Sequence, residues 1–369
     1  MSKKNRYPVI SLFSGAGGLD IGLEQSGCDV FFRSDVFPDA VKTHKKNGKN
    51  AIEGDIRELI RQDKKCSFIF SGTKYKPKDV FAVVGGPPCQ SFSTAGKRLG
   101  LDDPRGTLFN EFAHVIGVVK PKYFIMENVK GIMSSKQGEE SALSIIIEKF
   151  QSLGYKCIFK VLNSADYGAP QFRERLILIG TRTKKQPFIP LPTHFQTHQS
   201  QEYRWQTFID ATGDIKTHSY TSLSPSRLNF LKKVPPGGNW KDLSLKDQKT
   251  AMGGAFNSGG GKVGFFRRLD PNQPSPTITT SPAQKATLMG HPFEDRILSV
   301  EEYVRIQTFP DDWVFHGSLS SIYKQIGNAV PVKMAKALGD MLISSDSSSQ
   351  TINTKRRFTS GKTKEVDGV

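Results

Sequence analysis

The chain has 369 residues, 37% of them hydrophobic, which is long enough for two globular domains and ordinary for a folded protein. Its net charge of +17 and its pI near 9.6 indicate a polyanionic partner. The stretch from Lys184 to Arg268 carries thirteen basic residues against five acidic ones, as expected of a nucleic-acid face.

The cysteines and histidines exclude several other classes of protein. The four cysteines lack CxxC spacing and the seven histidines form no metal-binding motif, so we expect neither a disulfide framework nor a metal. No apolar run has the length needed to cross a bilayer, and the stretch Val9 to Phe13 is too short for a signal peptide. We therefore expect no membrane association and a reducing, cytoplasmic location.

Up to about Thr183 the sequence alternates strand, turn and helix, which predicts an α/β fold with a mainly parallel sheet covered by helices on both faces. Leu19 and Leu23 lie on one face of a first helix that ends at Gly27, and a core-facing helix occupies residues 139 to 153. The predicted strands are Val9 to Phe13, Asp29 to Arg33, Val80 to Val84, Tyr123 to Met126, Cys157 to Val161 and Leu176 to Ile179.

Beyond this part, prolines, glycines and isolated aromatic residues interrupt any helical period, which predicts a second, smaller and irregular domain. Ser299 and Glu302 form a capping-box pattern, so helical structure is expected to return there and again after Pro331. We divide the chain into 1–184, 185–298, 299–343 and a tail, 344–369, which has too few apolar residues to pack and is predicted to be disordered.

A glycine-rich segment, Phe13-Ser14-Gly15-Ala16-Gly17-Gly18, lies between the first strand and the first helix. Glycines there let a ligand approach backbone amides at a helix N-terminus, although a tight turn explains such a loop equally well. Two acids favour a cofactor site. Asp35 follows the second strand, where ribose hydroxyls are usually bound, and Asp55 follows the third.

The apolar run that ends at Val84 is followed by two glycines, two prolines and Cys89. Because the prolines end the strand, Cys89 lies in a constrained turn at a carboxyl strand end, where ligands and catalytic groups collect in open α/β sheets. A thiol there is a candidate nucleophile, although a free cysteine is more often a small buried apolar residue.

Three further groups are expected at the same edge of the sheet. Glu127 follows the strand that ends at Met126 and could donate or share a proton, with a helix cap as the alternative. Gln171, Arg173 and Arg175 alternate on one face of the next strand, so that two guanidinium groups project together, unless the segment is a solvated edge. A thiolate, an acid and two cations together suit nucleophilic addition to a bound electrophile.

In this order the motifs resemble those of prokaryotic-type DNA (cytosine-5) methyltransferases, and the resemblance extends from Pro8 to Leu342. It implies a Rossmann-like S-adenosylmethionine-dependent methyltransferase sheet with a small target-recognition domain. The matching blocks are Phe13 to Gly18, Gly54 to Ile56, Gly86 to Ser93, Glu127 to Val129, Gln171 to Arg175, Arg268 to Thr279 and Gln325 to Pro331.

The resemblance implies S-adenosyl-L-methionine as the cofactor, with Phe13 against the adenine, Asp35 on the ribose hydroxyls and Asp55 with Ile56 at the adenine edge. Asp35 departs from the family, in which glutamate is more common at this position. The cofactor contacts implied are Phe13, Gly15, Ala16, Gly17, Gly18, Asp35, Asp55, Ile56, Gly86, Pro88, Leu108, Asn328 and Ala329.

The resemblance also implies the chemistry. Cys89 would add to C6 of a cytosine flipped out of double-stranded DNA, and Glu127 would bind N3 and the amino group. Arg175, supported by Arg173, would hold the O2 side while C5 takes the methyl group. The segment Ser91 to Thr107 would close over the base. A monomer that modifies one DNA sequence in a restriction-modification system is the expected protein.

Three other functions fit parts of the pattern. A tRNA cytosine-5 methyltransferase would share the catalytic domain, but those enzymes typically carry a Cys-Phe-Thr signature that this sequence lacks. An NAD-dependent oxidoreductase would use the glycine loop and Asp35 but leaves Cys89 and Glu127 unexplained, and the loop lacks GxGxxG spacing. A catalytically inactive DNA-binding relative is disfavoured because Cys89, Glu127 and Arg175 are all present.

Overall fold

The computed structural model describes residues 7–88, 107–137, 140–258 and 264–347. Cys89, residues 91–106 of the predicted closing segment and the tail from residue 348 onward lie outside these ranges. The described residues include the sheet edge at which the other candidate residues were expected to meet.

The strands are short to medium in length, and two strands at the centre of the sheet, β1 and β4, are almost entirely buried. In β1 five of six residues are buried, and in β4 all four are, as expected of parallel strands covered on both faces. The strands are β1 Tyr7–Leu12, β2 Cys28–Asp35, β3 Ile52–Glu53, β4 Ala82–Gly85, β5 Tyr123–Val129, β6 Lys136–Gln137, β7 Glu140–Ser141, β8 Lys156–Asn163, β9 Gln171–Phe172, β10 Glu174–Thr181, β11 Arg267–Arg268, β12 Ser275–Pro276 and β13 Met289–Gly290.

Seven of these strands form a central sheet in the order β3-β2-β1-β4-β5-β10-β8. The first five run parallel, so their carboxyl ends meet at one edge. β10 runs antiparallel to both β5 and β8. The α/β fold predicted from the sequence is confirmed, and the sheet is parallel except for this one reversed strand.

Helices flank the sheet, and two hydrophobic clusters lie between them and its two faces. Leu23 and Leu338 belong to one cluster, and Phe112 and Phe150 to the other. The helices are α1 Gly18–Ser26, α2 Pro38–Lys46, α3 Ile56–Gln62, α4 Thr107–Val119, α5 Ala142–Ser152, α6 Phe208–Thr212, α7 Pro225–Lys232, α8 Leu245–Met252, α9 Val300–Ile306, α10 Leu319–Asn328 and α11 Val332–Asp346.

The helix ends follow local sequence signals. Gly27 closes α1 with a φ of +103°, and its N–H donates to the carbonyls of Leu23 and Glu24. The predicted capping box begins α9, with reciprocal bonds between Ser299 and Glu302. α11 continues through residue 344 to Asp346, where the sequence predicted a tail, because Ser345 is buried and donates to a backbone carbonyl of its own helix.

The described residues between 185 and 298 form three short helices and several single helical turns. Trp240, Phe266 and Met252 belong to a separate hydrophobic cluster, so this irregular stretch still has a packed interior. Within the described residues no helix is long and apolar enough to span a membrane. In the same ranges, no group of His, Cys, Asp and Glu side chains is placed to hold a metal ion.

Candidate active site

The glycine-rich loop after β1 is held by its backbone conformation and by one carboxylate. Phe13 and Gly15 have φ values of +55° and +51°, in the left-handed region. The N–H of Gly15 donates to Oδ2 of Asp35 at 2.7 Å, and the N–H of Phe37 donates to Oδ1 at 2.8 Å. Burial raises the pKa of Asp35, and these backbone donors oppose the rise. A carboxylate has about four acceptor positions, so Asp35 can accept further hydrogen bonds from a ligand.

Two glycines bring this loop against other parts of the chain. A Cβ at Gly17 would lie 2.8 Å from Cε1 of His44. A Cβ at Gly18 would lie 2.3 Å from the carbonyl oxygen of Val330 and 3.1 Å from Cβ of Ala329. Since neither position has room for a side chain, the loop packs directly on the segment that contains Ala329.

The remaining predicted cofactor residues differ in their surroundings. Asp55 is the N-cap of α3, accepts the N–H of Arg57 at 2.9 Å and forms an ion pair with its guanidinium at 2.5 Å. Hydrogen bonding to Arg57 is the largest effect on this carboxyl and lowers the pKa of Asp55. Ile56 is buried, and Leu108 is partly buried against the core of the sheet. Asn328 is exposed at the end of α10.

The turn after β4 is fixed by a residue of β5. Asn128 is buried, and its Nδ2 donates to the carbonyl oxygen of Pro87 at 3.0 Å. A Cβ at Gly86 would lie 3.0 Å from Oε2 of Glu127. Pro88, the last described residue before Cys89, is exposed. The chain that leads to Cys89 therefore passes directly beside the Glu127 carboxylate.

Glu127 forms an ion pair with Arg175 from the neighbouring strand. The Nε of Arg175 lies 2.8 Å from Oε1 of Glu127, and each side chain is 14% exposed. Register explains the contact, because Glu127 is opposite Ile177 in the antiparallel pair and Arg175 lies two residues further along. The pair stands at the carboxyl end of β5, next to the end of β4, so a carboxylate and a guanidinium both face the predicted nucleophile's turn.

Arg173 has a different environment from Arg175. It lies between β9 and β10, is 1% exposed, and donates through Nη2 to the carbonyl of Gly327 at 2.9 Å and through Nη1 to that of Ile278 at 3.4 Å. Burial, with the nearby charge of Arg175, lowers the pKa of Arg173 to about 9. The two arginines therefore differ in their contacts: Arg175 pairs with Glu127, whereas Arg173 is buried and bonded to backbone carbonyls, although the two charges are close enough to interact.

A buried amide chain continues from Gln171. Its Nε2 donates to Oε1 of Gln307 at 2.6 Å, and its Oε1 accepts the N–H of Ile278 at 2.9 Å. Gln307 donates in turn to the carbonyls of Ile326 and Ala329 at 2.8 and 2.7 Å. The strand end that carries Arg175 is thus tied through two amides to the segment beside the glycine loop.

A family model described as C-5 cytosine-specific DNA methylase matches residues 7–344, which include every group of this site. The chain belongs to that family. It is a DNA (cytosine-5) methyltransferase, so the resemblance predicted from the motifs is confirmed.

Characterised bacterial relatives match this methyltransferase over most of its length. Type II methyltransferase M.PspPI of Psychrobacter sp. (strain TA137) is 42% identical over 350 residues, 91% of this chain and 79% of the relative. Type II methyltransferase M.Sau96I of Staphylococcus aureus is 39% identical over 347 residues, 92% and 77% of the two chains. Type II methyltransferase M.Eco47II of Escherichia coli is 39% identical over 356 residues, 92% and 79%.

Solved structures support the fold of the methyltransferase. A DNA modification methyltransferase encoded within an Escherichia coli prophage gives a TM-score of 0.65 at 24% identity, covering 91% of this chain and 98% of that one. A variant of Spodoptera frugiperda DNMT2 gives 0.61 at 16% identity, covering 91% and 99%. At these identities the likeness concerns the fold alone.

Sequence reasoning missed two residues of the methyltransferase site. Asn128 lies in the Glu127 to Val129 block, which gave it no role, and in the structure it belongs to β5 and fixes the Pro87 carbonyl. Gln307 lies on no recognised block and is fully buried. One signal in the sequence could have pointed to Gln307: it follows the apolar face of a predicted helix, where a polar side chain is unusual.

Proposed function

We propose that this protein methylates C5 of a cytosine in a specific double-stranded DNA sequence, with S-adenosyl-L-methionine as methyl donor and Cys89 as nucleophile. The observation that carries the proposal is the Glu127 to Arg175 ion pair beside Gly86, at the strand end that leads into Cys89. A guanidinium at this point suits the O2 acceptor of a cytosine ring, and a carboxyl group suits the amino donor and, when it carries a proton, the N3 acceptor.

The glycine loop and Asp35 fit the cofactor. A Cβ at Gly15 would meet no atom within 4 Å, so the backbone there is open to a ligand. Asp35, whose oxygens each accept one backbone N–H, retains acceptor capacity for two ribose hydroxyls. We assign Phe13 and Ile56 to the adenine, and Gly86, Pro88, Leu108, Asn328 and Ala329 to the remaining wall. When bound, S-adenosylmethionine supplies an electrophilic methyl group.

The proposed chemistry begins with the Cys89 thiolate. Its sulfur forms a bond to C6 of the cytosine, the electron pair of the C5–C6 double bond shifts to C4–C5, and N3 takes a proton from Glu127. C5 would then take the methyl group that bound S-adenosylmethionine supplies. Loss of the C5 proton to a base expels Cys89, returns the N3 proton to Glu127 and restores the ring. Arg175 holds Glu127 and the O2 edge in place throughout, and Arg173 acts as a positioning residue.

Cytosine C6 is inside the base stack of a duplex, so the base has to leave the helix. Unstacking costs a few kcal/mol, which contacts to the phosphates offset. We assign target recognition to residues 185–298 and closure over the base to the segment from Ser91 to Thr107. Because Type II methyltransferases are the relatives found, we infer that the enzyme is the modification partner in a restriction-modification system.

Bisulfite sequencing of plasmid DNA from cells that express the protein tests the reaction and defines the target sequence.

A duplex with 5-fluorocytosine at the target position tests the nucleophile, because the fluorine prevents loss of the C5 substituent and the covalent adduct persists. We expect a protein-DNA adduct by mass spectrometry with the native chain and none with Cys89→Ala. Cys157→Ala is the matched control, since burial raises the pKa of this thiol to about 11. Adduct formation by Cys89→Ala would contradict the proposal.

A further inference from the structure

Six basic side chains form an exposed cluster at the edge of the sheet opposite the active site. We name it the rear basic patch. Its members are Lys120, Lys122, Lys156, Arg182, Lys184 and Lys185. Two of them, Lys184 and Lys185, begin the basic stretch that the sequence predicted to form a nucleic-acid face.

Hydrogen bonds join these residues into one surface. The backbone N–H of Arg182 donates to the carbonyl of Lys122 at 3.1 Å, and its Nη1 donates to that of Lys120 at 3.5 Å. Lys156 is opposite Thr181 in the β8–β10 ladder, and its Nζ donates to the carbonyl of Lys184 at 2.9 Å. The Nζ of Lys185 donates to the carbonyl of Ser345 in α11 at 2.6 Å.

The strands themselves separate this patch from the active site. β5 runs from Tyr123, next to Lys122, to the Glu127 position, and β10 runs in the opposite direction from Arg175 to Thr181, next to Arg182. A strand rises about 3.3 Å per residue, so the patch lies roughly 20 Å from the Glu127 to Arg175 pair. It is at the opposite end of the same strands.

The charge of the patch is mostly uncompensated. Within the described residues one carboxylate, Asp346, forms an ion pair with it, at 3.1 Å from Nζ of Lys122. The other contacts of these cations are to backbone carbonyls and, for Arg182, to the ring of Tyr155 at 5.8 Å, none of which neutralises them. Lysine is depleted in protein-protein interfaces, whereas exposed lysines act as point charges toward phosphates.

We propose that the rear basic patch binds the phosphate backbone of a second segment of duplex DNA, without reading its sequence, while the target duplex occupies the active-site edge. The proposal rests on the proposed function for the position of the target duplex. Because the persistence length of DNA is about 150 base pairs, bending one duplex from this edge to the other would cost several kcal/mol, which disfavours one continuous segment at both sites. The second segment therefore comes from a distant part of the same DNA or from another molecule.

The test begins with the full-length protein trapped covalently on a short target duplex that contains 5-fluorocytosine, so that the active site is filled. A fluorescent duplex of about 16 base pairs without the target is then titrated, and anisotropy is recorded at several salt concentrations. The patch variant combines Lys120→Gln, Lys156→Gln, Lys184→Gln and Lys185→Gln. A control with the same change in net charge combines Lys42→Gln, Lys45→Gln and Lys46→Gln in α2 with Lys64→Gln after α3, all at exposed lysines.

We expect the trapped native protein to bind the labelled duplex and the patch variant to bind it at least about tenfold more weakly. The slope of log K against log salt falls by up to about 3.6 for four lost phosphate contacts. The control variant changes affinity less than about twofold, and both variants methylate a short duplex at the native rate.

Three results would overturn the proposal. They are absence of a second binding event, equal losses in the patch and control variants, and binding of the trapped complex to phosphatidylserine vesicles in place of duplex. Failure to form the trapped complex at all would instead count against the proposed function, so the two failures are distinguishable.

Discussion

Arg175 and Glu127 contact each other across antiparallel strands, with Nε of the arginine 2.8 Å from Oε1 of the glutamate. The other carboxylate oxygen faces Gly86, where any Cβ would lie within 3.0 Å. The ion pair and the glycine together fix one carboxylate at the start of the segment that carries Cys89. The orientation of the Glu127 carboxylate is thus set by residues of β5 and β10 and by the turn after β4.

We predict that Arg175→Ala lowers kcat by about 100- to 1000-fold, because a charge partner aimed at the reacting ring is lost. Single-turnover methyl transfer to a target duplex measures the effect. Glu174→Gln is the matched control, since it removes the neighbouring exposed ion pair with Lys130 at 2.9 Å, and it should leave the rate unchanged. A native rate in Arg175→Ala would show that Arg175 does not contribute to methyl transfer.

A second prediction concerns Gly18, where a Cβ would lie 2.3 Å from the Val330 carbonyl. Backbone cannot move aside as a flexible side chain can, so Gly18→Ala should lower the free energy of unfolding by about 3 kcal/mol and raise the KM for the cofactor. Urea denaturation and initial rates measure the two effects. At Gly131 a Cβ would meet nothing within 4 Å, so Gly131→Ala should leave the stability unchanged or raise it by up to about 1 kcal/mol.

The sequence was sufficient for six of the seven strands of the central sheet, for α1, α5, α9 and α11, and for the family, because apolar runs, glycines and capping residues act locally. The sequence was not sufficient to predict the contacts of the Arg173 side chain. Alternation along a strand placed Arg173 beside Arg175, but the ladder breaks between Phe172 and Glu174 and the side chain reaches the Gly327 carbonyl. That contact joins residues 154 positions apart, and no local pattern encodes it.

The same reason explains why the sequence did not predict the role of Gln307. Its amide joins Gln171, 136 residues away, to the end of α10, and each partner read alone is an ordinary glutamine. The reversed direction of β10 is also a property of the whole chain, since an apolar strand has the same pattern in either direction. Motifs therefore located the active-site edge, while the contacts that orient its side chains needed the structure.

We predict that Gln307→Met lowers the free energy of unfolding by about 1–3 kcal/mol, because buried partners of its amide lose their hydrogen bonds. The effects of Gln307→Met and Gln171→Met should not add, with a coupling of at least about 0.5 kcal/mol in a double-mutant cycle. Gln248→Met is the control. Its amide also donates to two carbonyls, of Lys241 and Leu243, but in a separate cluster, so its effect should add to that of Gln171→Met. Additivity in both cycles would contradict the network.

The last prediction concerns His44, which is fully buried against Gly17. Burial, together with the charge of Arg33, lowers the pKa of His44 to about 4 from an ordinary value of 6.5, while the Gly15 backbone and Glu24 oppose the shift. Asp20, whose carboxylate lies 3.9 Å from Nε2, has a pKa raised by its own burial.

Above pH 6.5 the imidazole is neutral in both the folded and the unfolded chain, so it adds no pH dependence there. As the pH falls below 6.5, the unfolded chain binds a proton that the folded chain does not accept until about pH 4. The free energy of unfolding should therefore fall across this window by up to about 3 kcal/mol. Urea denaturation from pH 7 to 4 measures it, and His44→Gln should show a shallower slope in this window. Parallel curves for His44→Gln and the native chain would show that His44 does not titrate differently on folding.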